Sequence, residues 1–321
     1  MENAVVFSLS ASTELVKSIC KYLGVEPGKV TVSHFADEET LVEFNETLRG
    51  KKVFIVQSTY RPVNEKLMEL CIAIDAAKRA SAKEINVITP YFGYARQDRK
   101  ARQRQPITAK LVANILTVAG ANRVVTVDLH TTQIQGFFDF PSDDMITTSL
   151  MAKHFLEGNY DLTNTVIVSP DHGGVTRARN LADALTLPMA IVDKRRPRAN
   201  VVEATSVIGD VKDKDVIVVD DICDTAGSLC AACQLLKENG ARDVYACITH
   251  PVLSGQAVEN IEASVIKKLI VTDTIPLTEK AKAKTSKIEV ISIAELMAKL
   301  IEAIADEKPL SEVYKKYSFH R

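Results

Sequence analysis

The chain has 321 residues, 46% of them hydrophobic and 25% charged, with a formal net charge of −1, six cysteines and no tryptophan. That length suits two domains of roughly 150 residues, each with a core of its own. A charge this close to zero argues against a general nucleic-acid binder. No apolar run nears the roughly 20 residues that span a bilayer, and the start MENAVVFSLS lacks the basic and long apolar regions of a signal peptide. Few cysteines in so long a chain do not read as a disulfide framework. The expectation is a cytoplasmic protein with neither a membrane nor a nucleic-acid partner.

In the first half, short apolar strands alternate with amphipathic helices. Strands are predicted at 4–9, 29–34, 40–44, 52–57, 85–89 and 124–127. The polar turn FADEE separates the second and third of these. Helices are predicted at 12–23, ended by Gly24, after Pro62, and at 107–119, ended by Gly120. In the helix after Pro62, Leu67, Leu70, Cys71 and Ile74 share one face at helical spacing. The second half repeats the rhythm, with strands at 165–169, 189–193, 216–219, 244–249 and 268–271 and helices near 174–186, 228–239 and 293–305. Alternation of this kind implies an α/β fold, two domains each built on a mainly parallel sheet flanked by helices. No change of composition marks the boundary, and the irregular connection at 137–147 is the candidate crossing, giving domains 1–146 and 147–306.

The stretch VIVVDDICDTAGS, residues 216–228, organises the second half. Four apolar residues have the character of a strand buried on both faces. Asp220 and Asp221 follow, then a polar loop of Asp224, Thr225, Ala226, Gly227 and Ser228 before a helix opens at Leu229. A strand that passes through small residues into a helix delivers unpartnered N–H groups and the positive end of a helix dipole to one point, which suits a phosphate. The two acids make sense there if they face sugar hydroxyls. An ordinary strand–helix turn capped by aspartate has the same outline, and the loop alone does not decide between them.

Other segments carry chemistry as well. YFGYARQDRKARQR, residues 91–104, sets a run of arginines and lysines just after a strand, a composition that fits polyphosphate oxygens through arginine forks or a solvated loop. Asp128 and His130 stand at the end of the strand at 124–127, and Asp171 at the end of the strand in VIVSPDHGGVTRAR. Strand ends are where α/β domains bind ligands. A carboxylate and an imidazole with open positions suit magnesium, which keeps waters and substrate phosphates as ligands. Lys194, Arg195, Arg196 and Arg198 crowd the segment DKRRPRAN, a basic hairpin or a mobile cationic loop that closes over developing phosphoryl charge. Cys230 and Cys233 form a CxxC with no second pair nearby and read as small buried residues. Neither GxxxxGK[ST] nor GxGxxG occurs, so neither a P-loop enzyme nor a dinucleotide dehydrogenase is supported. The combination points to phosphoryl or pyrophosphoryl transfer to a phosphorylated sugar.

Nine segments taken together resemble the ribose-phosphate diphosphokinases, or phosphoribosyl pyrophosphate synthetases, almost end to end. They are FADEET, QSTYRPVNEKLMEL, YFGYARQDRKAR, PITAKLVAN, DLHTTQIQGFFD, SPDHGGVTRAR, DKRRPRAN, VVDDICDTAGS and THPVLSGQA. The likeness is strongest to the phosphate-activated, magnesium-dependent class. It implies two phosphoribosyltransferase-type domains, Mg2+ as cofactor, and transfer of the diphosphate of ATP to ribose 5-phosphate. It further implies a homo-oligomer, a hexamer in the family, with the adenine-binding residues reaching a neighbouring subunit's site.

Carried over by motif, Phe35, Asp37, Glu38 and Glu39 fall in the adenine turn, with Arg96 and Gln97 on ATP. His130, Asp171 and Asp128 fall at the metal, Lys194 and Arg196 at the catalytic loop, and Asp220, Asp221 and residues 224–228 at ribose 5-phosphate. Thr47, Arg49, Ser81 and Arg104 are possible parts of a regulatory site for phosphate and ADP, and the tail at 307–321 is expected to pack back on the first domain. Glu38, Thr131, Gln105 and the tail depart from the family pattern. A phosphoribosyltransferase shares VVDDICDTAGS, and a non-catalytic synthetase-associated subunit shares more. YARQDRK and DLHTTQ on the ATP side argue against the first, and intact Lys194, Arg196, His130 and Asp220 against the second.

Overall fold

The structure, a computed structural model, describes residues 3–195 and 204–316. The chain divides into two compact units, one of Met1–Ile146, Thr274–Pro276 and Ser292–Lys316, the other of Thr147–Asp273 and Leu277–Ile291.

In the first unit the elements are β1 (Ala4–Ser8), α1 (Thr13–Leu23), β2 (Val30–His34), β3 (Thr40–Phe44), β4 (Lys52–Val56), α2 (Val63–Arg79), β5 (Glu84–Thr89), α3 (Thr108–Ala119), β6 (Arg123–Val127) and β7 (Ser142–Met145). Five strands form a parallel sheet in the order β1-β4-β5-β6-β7. β4, KVFIV, which lies between β1 and β5, is buried throughout, as an interior strand with both faces covered must be. Alternate residues Val53 and Ile55 enter a core with Leu70, Ala73 and Ile74 of α2 and Val112 and Leu116 of α3. Gly24 and Gly120 end α1 and α3 in the left-handed conformation that glycine adopts without a Cβ penalty. β2 and β3 form a separate antiparallel hairpin, with His34 opposite Thr40.

The polar strand β7, SDDM, is held on the sheet edge by side chains as well as by its ladder with β6. Arg123 of β6 pairs with the Asp143 carboxylate, and the Thr126 hydroxyl donates to Asp144 Oδ1 at 2.8 Å. It lies inside the connection that the sequence left irregular.

The second unit contains α4 (Thr148–Glu157), β8 (Thr165–Ser169), α5 (Val175–Leu185), β9 (Met189–Arg195), β10 (Ala204–Ile208), β11 (Asp215–Cys223), α6 (Gly227–Glu238), β12 (Val244–Pro251), α7 (Ala257–Ala263), β13 (Ile266–Thr272), α8 (Glu279–Lys284) and β14 (Ile288–Ile291). Its seven strands run β10-β9-β8-β11-β12-β13-β14, parallel except that β10 returns antiparallel to β9. α4 and α5 contribute Phe155, Leu181 and Leu185 to one core, α6 and α7 contribute Leu236 and Ile261 to another. Both units are thus α/β with mainly parallel sheets, the fold class expected.

Two helices follow, α9 (Ala294–Ala305) and α10 (Leu310–Lys316). Residues 292–306, expected in the second domain, cluster instead with the first unit. α9 is apolar around most of its girth, burying Leu296, Met297, Leu300, Ile301 and Ile304, and it packs against α1. Its end is fixed by Lys52 at the start of β4. The buried ammonium donates to the carbonyls of Ile304 at 3.4 Å and Ala305 at 3.1 Å and to Glu307 Oε1 at 2.8 Å. A cation among the last carbonyls of a helix satisfies groups that lack intrahelical partners and complements the dipole. Helical periodicity shows that α9 must be buried, but it carries no information on which sheet covers it. α10 packs on α9.

Candidate functional site

The acid pair lies within β11 rather than after it. Parallel pairing with β12 continues past the apolar run, through Asp220↔Ile248 and Ile222↔His250 to Cys223↔Pro251. The Asp221 side chain is buried and that of Asp220 is part-buried. Arg177, in the first turns of α5, brings Nη1 to 3.6 Å from Asp220 Oδ1 and 3.4 Å from Asp221 Oδ1. Burial, and after it the neighbouring charge of Asp221, push the Asp220 carboxyl up to about 7, with Arg177 acting in the opposite direction.

The strand then releases its chain into Asp224, Thr225 and Ala226, and α6 opens at Gly227, one to two residues ahead of the predicted start at 228–229. Ala226 takes a left-handed conformation, φ +62°, and packs inward, while Thr225, Gly227 and Ser228 are exposed. The loop is held from behind. Leu253 and Ser254 N–H groups donate to the Cys223 and Asp224 carbonyls, and Asn260 Nδ2 donates to Thr225 O at 3.0 Å. A Cβ built on Gly227 meets nothing closer than Thr225 Oγ1 at 3.8 Å, so the space before the helix N-terminus is open. No side chain caps α6. A loop with anchored carbonyls and an uncapped helix start is equipped to receive an anion through N–H groups.

Asp171, in the turn between β8 and α5, is exposed, and its Oδ1 accepts the Gly174 N–H at 3.0 Å. The turn is tight: a Cβ on Gly174 would approach Ser169 Oγ to 3.0 Å. The adjacent His172 reaches β9, its Nε2 2.9 Å from Oδ1 of the buried Asp193. The backbone of Lys194 continues β9, opposite Thr205 of β10. Arg196 lies outside the described residues.

In the first unit, Asp128 directly follows β6, buried and with φ +43°, and His130 two residues on is exposed. Thr131 Oγ1 donates to Asp98 Oδ2 at 2.8 Å, joining this turn to the segment that carries Arg96 and Gln97. Both of those residues are exposed, and Gln97 Oε1 accepts the Thr108 hydroxyl at 2.6 Å at the start of α3. In the β2–β3 hairpin, Phe35 is 57% exposed. Its turn is closed by Phe35 N–H to Glu39 O at 2.9 Å, Glu38 N–H to Phe35 O at 3.0 Å and Glu39 N–H to Asp37 Oδ1 at 3.3 Å. Glu38 has φ +70°, a conformation glycine adopts more readily than glutamate. The segments of Arg49 and Ser81 lie side by side, bridged at Arg49↔Ala82 and by Gly50 N–H to Ser81 O. Thr47 and Arg104 are exposed, and Arg104 has φ +65°.

Among the described residues no cluster of three or more His, Cys, Asp or Glu side chains is assembled as a cation cage. The first unit offers Asp128 and His130, the second Asp171. Taken unit by unit, these donors fall short of the four protein ligands of a structural zinc site, whereas one or two carboxylate or imidazole donors suit magnesium, which borrows waters and substrate phosphates. The cysteines fit neither role. Burial pushes the Cys223 thiol up to about 12 and raises Cys230 and Cys233, so none is a ready thiolate. Asp98, Asp144, His172 and Arg177 were not singled out from the sequence. Their partners are distant along the chain, and no local pattern announces them.

Comparison with known proteins supplies the class. A family model described as the N-terminal domain of ribose phosphate pyrophosphokinase matches residues 4–120, and one described as a phosphoribosyl synthetase-associated domain matches residues 197–315. The chain is 52% identical over 309 residues to ribose-phosphate pyrophosphokinase 2 of Enterococcus faecalis, covering 96% of this chain and 95% of that one. It is 51% identical over 313 residues to ribose-phosphate pyrophosphokinase of Bacillus subtilis, covering 98% of each. The crystal structure of phosphoribosylpyrophosphate synthetase from Mycobacterium smegmatis superposes with a TM-score of 0.89 at 42% identity, over 95% of this chain and 99% of that one. The chain belongs to the ribose-phosphate pyrophosphokinase family.

Proposed function

We propose that this chain is an active ribose-phosphate pyrophosphokinase, transferring the β,γ-diphosphate of ATP to the 1-hydroxyl of ribose 5-phosphate to give 5-phosphoribosyl 1-pyrophosphate and AMP. The observation that carries this reading is the end of β11, where a strand-borne acid pair leads into an open, uncapped helix start, in a chain that matches the family over nearly its whole length. A phosphoribosyltransferase shares such a loop but is not what the full-length likeness supports.

In this reading Asp220 and Asp221 accept hydrogen bonds from ribose hydroxyls. The N–H groups of residues 224–228, with the Thr225 and Ser228 hydroxyls, hold the 5-phosphate. Arg96 and Gln97 orient ATP, and Phe35, Asp37, Glu38 and Glu39 take adenine, the aromatic face stacking and the turn supplying polar contacts. The 1-hydroxyl oxygen bonds to the β-phosphorus as the bond to the α-phosphate bridging oxygen breaks. AMP leaves, and the hydroxyl proton is released. Lys194 and Arg196 stabilise charge growing on the transferred oxygens. His130, Asp128 and Asp171 would hold Mg2+, which when bound neutralises the β and γ oxygens.

The assembly proposed is a homo-oligomer, a hexamer by family analogy. Ile107, Leu111, Ile115 and Val118 recur along α3 and are all exposed, an apolar stripe of the kind a second copy would cover. Thr47, Arg49, Ser81 and Arg104 are proposed to serve regulation by phosphate and ADP. The test is AMP and phosphoribosyl pyrophosphate formation by the purified chain from ATP and ribose 5-phosphate, with and without Mg2+, phosphate and ADP. Turnover that requires both substrates supports the reading, and no AMP under any of these conditions overturns it.

A further inference from the structure

Asp128 holds a left-handed backbone, φ +43°, while buried. A non-glycine residue keeps such a conformation where its surroundings over-determine it. Here the determinants come from β7. The Met145 carbonyl accepts the Asp128 N–H at 2.9 Å. The Asp144 carboxylate accepts the next N–H, that of Leu129, at 3.1 Å to Oδ1 and 3.2 Å to Oδ2, and also the Thr126 hydroxyl. Asp144 is 7% exposed, and Leu129 is buried in the core of the first unit. Leu129 stands between Asp128 and His130, so one buried carboxylate grips the backbone between the two residues proposed to meet the metal.

We infer that Asp144 is a positioning residue for metal binding. It touches neither substrate nor metal; it fixes the Leu129 amide and through it the separation of Asp128 and His130. This rests on the assignment of those two residues to the metal. A charged acceptor makes hydrogen bonds roughly twice as strong as a neutral one, and a turn held by one lets its side chains meet a cation without first being ordered. Freed of the clamp, the left-handed turn relaxes toward the ordinary β or α regions, and the two donors lose their common geometry.

The experiment uses the full-length protein and Mn2+ alone, titrated by electron paramagnetic resonance. Asp144→Ala should weaken Mn2+ binding by about 10-fold or more, the range found when groups that orient metal ligands are removed. Asp144→Asn, which keeps one acceptor oxygen, should show a smaller loss. Hydrogen exchange at the Leu129 amide should speed up in both variants. Ribose 5-phosphate binding, whose groups lie in the other unit, should stay within about twofold of the parent on the same ligand-orientation argument.

Mn2+ affinity unchanged in both variants overturns the proposal, and so does loss of Mn2+ and ribose 5-phosphate binding together, the mark of a merely structural acid. If Asp144→Ala does not fold, Asp144→Asn decides by the same criteria. His130→Ala separates the two levels of the argument. Intact Mn2+ binding there overturns the metal assignment and the inference with it; abolished binding there beside unchanged binding in the Asp144 variants overturns the inference alone.

Discussion

Thr131 donates its hydroxyl to the Asp98 carboxylate at 2.8 Å, and this bond connects the arginine-rich segment after β5 to the turn after β6. Thr131→Ala deletes a part-buried hydrogen bond to a charged group, which costs about 1.5 kcal/mol or more. Thr131→Ser keeps the donor. The expected result is a rise of several-fold in the KM for ATP in the alanine variant, restoration in the serine variant, and an unchanged KM for ribose 5-phosphate. Equal effects on both substrates would show that the bond holds the fold and not the nucleotide segment.

His172 plays a comparable part in the second unit, tying the turn of Asp171 to Asp193, the residue before Lys194. His172 is largely exposed, so His172→Ala should leave thermal stability nearly unchanged. Slackening the base of the cationic segment should lower kcat by about tenfold, because small misplacements of a charge-stabilising group are costly to the transition state. An unaltered kcat would remove the pair from the account of catalysis.

Lys194→Ala should lower turnover by about 10²-fold or more, equivalent to at least ~2.7 kcal/mol of transition-state stabilisation. Binding of ATP, measured without ribose 5-phosphate, should persist. Near-normal turnover with ATP bound would refute the assigned role.

Asp220 predicts a pH dependence of definite sign. Its folded carboxyl titrates near 7, well above the ordinary carboxylate range. As pH falls from about 7 to about 4, the folded protein takes up a proton that the unfolded chain still releases, so this residue makes folding more favourable on acidification through that window. Its binding role runs the other way. A protonated Asp220 is a poorer acceptor for ribose hydroxyls, and ribose 5-phosphate affinity should weaken as pH drops from 8 to 6. Asp220→Asn should bind more weakly at pH 8 and lose this slope, and Arg177→Ala should move the slope to higher pH. Calorimetric titrations at pH 6, 7 and 8 read all three. A flat profile in the parent would show that Asp220 does not titrate in the binding range.

The apolar strands and the helices that cover them were legible because burial imposes periods of 2 and 3.6 on a sequence. β4 and β8 are read almost to the residue, and Gly24 and Gly120 mark where their helices stop. β7 was not legible. Ser142, Asp143 and Asp144 have poor strand propensity, and the partners that hold them, Arg123 and Thr126, lie well back in the sequence. β11 was read too short for a related reason, since aspartates ended the apolar pattern while the ladder to β12 went on. The residues proposed for substrate and metal were found through motifs. Asp144, His172, Arg177 and the acceptor Asp98 emerge only when the chain is folded, because each acts on a residue that sequence distance hides.

Lys52 bonded to the end of α9 has a consequence for how the protein is made. Most of the first unit precedes the second along the chain, but the helix that packs on its α1 is formed by residues 294–305. A ribosome delivers the second unit's strands before that helix exists. The first unit is therefore completed after the second, and a message cut short after residue 291 would leave the second sheet whole and α1 without the helix that packs on it.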